Sequence, residues 1–216
     1  MNSSRAVVFD LDGVLLDSES DISWLQKASK RTLAHFNIDT KEHTRFLYSK
    51  HVPNFKEISK KIGIDAEILW PVRNRLYTEE KLKAMKERII GPFPDVSSLY
   101  DIIKSFELGI VSNSPQVVVD FFIEEFNYQD LFSFGIGRGD GLKDIELMKP
   151  NRHLFSKVKQ KTKVDWFLYV GDRETDKIFA KRTGMDFVFL DRFNKRDNGF
   201  SSLVDLTVYL KSLEND

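Results

Sequence analysis

The apolar run Val7-Val8-Phe9 stops abruptly at Asp10-Leu11-Asp12-Gly13. Short and unbroken, it predicts a buried strand. Side chains alternate along a strand, so Asp10 and Asp12 project to the same side where it ends. From residue 17 the period turns helical and stays so to residue 90. Ile22, Leu25, Ala28, Leu33 and Phe36 form one stripe across 20–36. Phe46 and Leu47, then Phe55, Ile58 and Ile62, mark two shorter pieces, the second closed by Gly63. Asp65 is placed to cap a further helix with Ile68, Leu69, Val72 and Leu76, which Pro71 kinks or restarts. Leu82, Met85 and Ile89 carry the helical period on to Gly91-Pro92.

Beyond Pro94, apolar runs and helical stripes alternate. Asp95 is placed to cap a helix with Val96, Leu99, Ile102, Ile103 and Phe106. Leu108–Ser112 predicts a strand, and Ser114-Pro115 the N-cap and first turn of a helix reaching Phe126. Phe132–Ile136 predicts another strand, and Pro150 opens a helix to about Gln160. Trp166–Val170 is a strongly apolar strand ending at Gly171-Asp172, and the helix after it stops at Gly184. Asp186–Leu190 gives a last strand, and Leu203, Leu206, Leu210 and Leu213 a final amphipathic helix. The alternation predicts an α/β fold, a Rossmann-like parallel sheet flanked by helices, with right-handed crossovers. The expected division is a core domain of residues 1–16 and 91–216, with residues 17–90 as an inserted all-α domain.

Composition narrows the partners. Lys plus Arg and Asp plus Glu both number 33, so formal charge is zero and nothing draws the whole surface to nucleic acid. Recognition of an anion must therefore be local. The absence of cysteine excludes disulfides, thiolate metal sites and a cysteine nucleophile. With no signal-type or membrane-spanning apolar stretch, the expectation is a cytoplasmic protein with no membrane partner. A monomer or small homo-oligomer is expected.

Three strand ends carry polar residues on one edge of the predicted sheet: Asp10/Asp12, Ser112-Asn113-Ser114, and Asp172 with Asp176. Lys149, just before Pro150, can reach the same edge. Clustered carboxylates repel one another, so such a crevice wants a cation, and hard oxygen ligands favour Mg²⁺. A magnesium site beside a lysine and a hydroxyl suits a phosphoryl group. Glycines 135, 137, 139 and 141 do not match a dinucleotide loop, and read as a mobile loop ahead of Lys149. Arg173 and Glu174 read as surface or helix-start residues.

Asp10-Leu11-Asp12-Gly13-Val14, Ser112-Asn113-Ser114, Lys149-Pro150 and Gly171-Asp172-Arg173-Glu174-Thr175-Asp176 resemble, in order and spacing, the four signature motifs of the haloacid dehalogenase superfamily. The helical insert resembles the cap of its phosphoglycolate phosphatase and β-phosphoglucomutase branch. That resemblance implies a phosphatase acting on a small phosphorylated metabolite. Asp10 would be the nucleophile, forming an aspartyl phosphate. Asp12 would be the general acid and then base, kept protonated for the first step by negative neighbours. Ser112, Asn113 and Lys149 would hold the phosphoryl group. Mg²⁺ would sit among Asp10, the Asp12 carbonyl and Asp172, with Asp176 as ligand or support. Dehalogenase members lack an aspartate at the position of Asp12, which favours the phosphatase. A phosphomutase and a catalytically silent binding module are the alternatives. Glu19 at the first crossing into the cap, and the basic cap residues Arg45 and Lys50, are the candidates for substrate choice.

Overall fold

The computed structural model describes residues 5–39, 55–192 and 199–213. Its elements up to the insert's end are β1 (Arg5–Phe9), β2 (Leu16–Asp17), α1 (Ser23–His35), α2 (Phe55–Ile62), α3 (Ala66–Lys86) and β3 (Gly91–Pro92). A 3₁₀ helix (Pro94–Asp101), β4 (Glu107–Pro115), α4 (Gln116–Glu125), β5 (Phe134–Arg138) and a second 3₁₀ helix (Leu142–Leu147) follow. The chain ends with α5 (His153–Lys161), β6 (Trp166–Gly171), α6 (Glu174–Thr183), β7 (Asp186–Leu190), β8 (Gly199–Phe200) and α7 (Leu203–Ser212).

Six strands form one sheet in the order β5-β4-β1-β6-β7-β8, every pair parallel. A parallel sheet needs cover on both faces, and β1 supplies both. Val7 and Phe9 pack into a cluster with α4, α7 and the first 3₁₀ helix. Ala6 and Val8 pack into a second cluster with α5 and α6. All four are fully buried, each large one contributing about 1.5–3 kcal/mol by leaving water. The result is the predicted α/β, Rossmann-like three-layer core. Strand order reverses around β1, whose carboxyl end lies between those of β4 and β6, the place where such sheets open a crevice.

β2 and β3 pair antiparallel, Leu16 with Pro92 and Asp17 with Gly91, so both crossings into the helical insert share one two-stranded ribbon. Asp65 caps α3 through Glu67 N–H, and the helix runs unbroken through Pro71. Leu33, Phe55, Ile58, Ile62, Leu69 and Trp70 form a small core that also takes in Ile145 and Met148. Of the glycines read as a mobile loop ahead of Lys149, Gly135 and Gly137 lie in β5, and the 3₁₀ helix that follows Gly141 is pinned under the insert.

Local expectations fail where a side chain finds a better partner elsewhere. Asp95 caps nothing at its own helix start. Its carboxylate takes both ends of the Arg192 guanidinium, at 2.9 Å each, and the Leu203 N–H at the head of α7. β4 runs on past Ser112 to Pro115, with an irregularity between Val111 and Pro115, so Ser114 is a strand-end residue and not an N-cap. β5 lies two residues later than its apolar run indicated, and α5 begins at His153 after a turn. No described helix is long and apolar enough to cross a membrane.

Candidate active site

Asp10 follows β1 directly, its N–H donating to the Val170 carbonyl of β6. One carboxylate oxygen accepts the Leu11 N–H at 2.8 Å and pairs with the Lys149 ammonium at 2.9 Å. Lys149 is buried, and its remaining donors go to Asp176 at 2.7 Å and the Tyr169 hydroxyl at 2.6 Å. Tyr169 donates in turn to the Val111 carbonyl, tying the ammonium to β4 and β6 at once. Asn113 grips the lysine by its backbone: its carbonyl oxygen accepts the Lys149 N–H and its amide donates to the Lys149 carbonyl. Asn113 thus positions Lys149 with its side chain. Ser112 is buried and accepts the Ser114 N–H.

Burial raises the Asp10 pKa to about 6. Lys149 and Arg173 oppose that rise, while Asp176 and Asp12 add to it. Asp172, at the end of β6, is pushed up to about 7, first by burial, against Arg173 and with Asp10, Asp176 and Glu19 adding negative charge. Its Oδ1 is buried with no hydrogen-bond partner among the described residues. Oxygens of Asp10, Asp172 and Asp176 lie within 4.8 Å of one another. Gly13, at φ +81°, keeps this approach open, because a Cβ there would lie 2.7 Å from Asp172 Oδ2. An orphaned carboxylate oxygen inside an acidic cluster fits a hard divalent cation. Asp176 is the least available of the three, since it already accepts from Lys149 and from the Arg173 N–H.

Asp12 departs most from expectation. Its carboxylate accepts the Ser18 hydroxyl at 2.7 Å, the Ser114 hydroxyl at 2.7 Å and the Lys81 ammonium at 2.5 Å. Lys81, on α3, is fully buried and also donates to Ser114 at 2.9 Å. Burial by itself would raise the Asp12 pKa. The Lys81 charge and the three hydrogen bonds overcome it and hold Asp12 at about 2. Negative neighbours therefore do not keep Asp12 protonated here, because a buried cation from the insert outweighs them.

Glu19 pairs with Arg173, whose Nε also lies 3.6 Å from Asp172 Oδ2. Arg173 stands at the start of α6, as expected, and its side chain also borders the crevice. Arg45 and Lys50 lie outside the described residues. Lys81 and Tyr169 were missed. Lys81 sits in a lysine-rich helix end, and Tyr169 reads as one more apolar strand position.

A parallel sheet with acidic residues at the ends of β1 and β6, hydroxyls at the end of β4, and helices inserted after the first strand defines an α/β enzyme with a carboxylate-lined crevice. The chain belongs to the family of haloacid dehalogenase-like hydrolases, whose pattern it matches over residues 7–190. Solved structures agree on the fold. A predicted phosphatase from Clostridium acetobutylicum is 20% identical, with 98% of this chain and 100% of that one covered and a TM-score of 0.70. A HAD phosphatase from Thermococcus onnurineus is 22% identical over 95% and 97%, TM-score 0.64. The 2-haloacid dehalogenase of Pseudomonas syringae pv. Tomato is 19% identical over 97% and 99%, TM-score 0.61. No curated protein matches significantly. Since phosphatase and dehalogenase share this fold, the fold does not choose between their chemistries.

Proposed function

We propose that this hydrolase cleaves small phosphate monoesters through an aspartyl phosphate on Asp10. The observation that carries the reading is the proton-bearing set around Asp12: two hydroxyls and an ammonium within 2.7 Å of one carboxylate, two residues from Asp10. A departing alkoxide needs a proton and a halide does not, so the set has work in a phosphatase and none in a dehalogenase.

In this reading an Asp10 oxygen attacks phosphorus and the ester oxygen leaves. Lys149 neutralises charge on the phosphoryl oxygens and on Asp10, in a dry site where that counts most. Ser112 and the backbone N–H of Asn113 would donate to the same group. Asp12, ionised as described, suits the second half, where it takes a proton from the water that attacks the aspartyl phosphate. The proton for the first leaving oxygen comes from the Asp12–Lys81 pair, 2.5 Å apart, and the proton that Asp12 later takes from the water restores it. Asp10, Asp172, the Asp12 carbonyl and, more weakly, Asp176 would hold Mg²⁺, which supplies charge neutralisation to the phosphoryl oxygens. The helices of residues 17–90 act as a cap hinged at the β2–β3 ribbon.

An ester panel with Mg²⁺ tests this, together with Asp10→Asn. Phosphate release by the wild type and its loss in a folded Asp10→Asn variant is the expected result. Normal turnover by that variant would overturn the assignment of the nucleophile.

A further inference from the structure

Lys149 and Arg173 both bring positive charge from the sheet layer to the strand-end carboxylates, and only Lys149 has a task in the reading above. Arg173 is the residue before α6, and its backbone is fixed there by its N–H, which donates to Asp176 Oδ2 at 3.2 Å. Its side chain reaches two carboxylates on different parts of the chain. Nη2 pairs with Glu19 Oε1, two residues past β2 on the first crossing into the insert. Nε lies 3.6 Å from Asp172 Oδ2. The first contact is a hydrogen-bonded ion pair, and the second is just beyond hydrogen-bond reach.

The two oxygens of Asp172 are therefore used differently. Oδ2 faces Arg173, while Oδ1 is buried with no partner among the described residues. Of the charges around Asp172, Arg173 acts most strongly, ahead of Asp10, Asp176 and Glu19. The guanidinium thus supplies, from the rim, part of the charge that a divalent cation would supply inside the cluster. Two cations beside one carboxylate repel each other, so Arg173 opposes the ion unless another anion draws it away. Glu19 is placed to do so. The Arg173 and Glu19 side chains are 38% and 31% exposed, against 2% for Lys149, so this guanidinium can shift without being stranded in a dry site.

We infer that Arg173 is a placeholder for the divalent cation, and that Glu19 is the carboxylate onto which it withdraws when the ion reaches Asp172. This rests on the Mg²⁺ site of the phosphatase reading above, and it gives Glu19 a task in metal exchange in place of substrate choice. Both are positioning residues that act through Asp172. Without the ion, Arg173 offsets the charge of Asp172; with it, the pair with Glu19 carries the guanidinium. Removing Arg173 therefore tightens Mg²⁺ binding, and removing the Glu19 charge loosens it.

The test is calorimetric titration with Mg²⁺ alone, on wild type, Arg173→Met, Glu19→Gln and the double variant. Arg173→Met should lower the Mg²⁺ Kd about three- to tenfold, and Glu19→Gln should raise it by a similar factor. In the double variant the Kd should match that of Arg173→Met within about twofold, because Glu19 acts only through the guanidinium. Melting in a chelator gives a second reading: Arg173→Met should melt below wild type, and saturating Mg²⁺ should close the gap. Equal Kd values in wild type and Arg173→Met, or additive effects in the double variant, overturn the inference. So does a Kd raised in both single variants, the mark of a merely structural pair. Should Arg173→Met not fold, Arg173→Gln removes the same charge and must lower the Kd for the inference to stand. An ester panel run alongside keeps the two readings apart. Mg²⁺ binding without ester hydrolysis defeats the phosphatase reading, while the order of Kd values still decides the role of Arg173. Hydrolysis with the Kd values unmoved defeats the placeholder alone. If none of the four proteins binds Mg²⁺, the placeholder falls whatever the esters show.

Discussion

Lys149 and Lys81 are both buried ammonium groups set against aspartates of one crevice, yet they leave those aspartates in opposite states. Lys149 belongs to the sheet layer and divides its charge between Asp10 and Asp176, with Tyr169 as its third partner. Asp10 therefore gets a shared cation and several acidic neighbours, and its pKa rises to about 6. Lys81 comes from the insert and has one carboxylate to itself, while Ser18 and Ser114 add donors to that carboxylate, and Asp12 falls to about 2. Burial opposes ionisation in both. What differs is how many carboxylates each cation serves and how many donors each carboxylate has. The sheet layer fixes one pair within a rigid frame. The other pair exists only while α3 lies over the strand ends.

Removing Lys149 breaks the comparison most severely. Lys149→Met leaves Asp176 and Asp10 buried without their cation, so turnover should fall by about a thousandfold or more and stability by about 3–5 kcal/mol. Urea denaturation and initial rates read the two losses. A variant that kept its rate would deny Lys149 any part in the chemistry.

Lys81→Met should sharpen the contrast, because its effect depends on the leaving group. With alkyl phosphates the rate should drop by about a hundredfold, since the alkoxide loses its proton source. Aryl phosphates with a good leaving group should lose far less. A uniform loss across both would make Lys81 an electrostatic or structural residue and remove the proton role.

The two lysines also differ in how far the sequence revealed them. Asp10, Asp12, Ser112 and Asp172 could be placed because apolar runs stop at or beside them, and a strand's end is visible wherever its hydrophobic run breaks; Lys149 was placed by the proline that follows it. Lys81 stands among Lys83, Lys86 and several glutamates, where nothing local separates it from a solvated charge. The apolar stripe chosen for α3 also named the wrong face in part. Ile68 is 60% exposed, while Arg73, Asn74 and Lys81 are buried. A helix wedged between its own small core and a polar crevice is buried on two sides, so a single hydrophobic period cannot describe it. Ser114 and Asp95 failed as caps for a related reason. Short-range patterns know only the local backbone, and both residues serve partners about 100 residues away: Asp12 for Ser114, Arg192 for Asp95.

A pH series separates the acidic cluster from the Asp12 pair. Asp172 has a raised pKa in the folded state, so its contribution to stability is full below its ordinary 3.8 and is lost as pH rises through about 7. With a chelator present, wild type should therefore lose ground to Asp172→Asn over that range, by about 4 kcal/mol. Mg²⁺ should restore the wild type at the upper end and leave the variant unmoved. Asp12 has the opposite sign. Its lowered pKa gives stability that is present above 3.8 and lost as pH falls through about 2, and Lys81→Met should erase that acid limb. Parallel pH–stability curves for wild type and Asp172→Asn would contradict the orphaned-carboxylate picture.

The smallest expected effect tests the frame around Lys149. Tyr169→Phe removes one hydroxyl that accepts from Lys149 and donates to the Val111 carbonyl, leaving the ring against Phe179 in place. The variant should lose about 1–2 kcal/mol, the worth of a buried hydrogen bond plus an unsatisfied carbonyl. Lys149 keeps both carboxylates, so kcat should fall only a fewfold. The decisive reading is the ratio of the two losses. If kcat fell as far as in Lys149→Met while stability barely changed, the hydroxyl would be acting on the phosphoryl group directly. A modest fall in both places Tyr169 where its bonds put it, as the strut that holds the ammonium at Asp10.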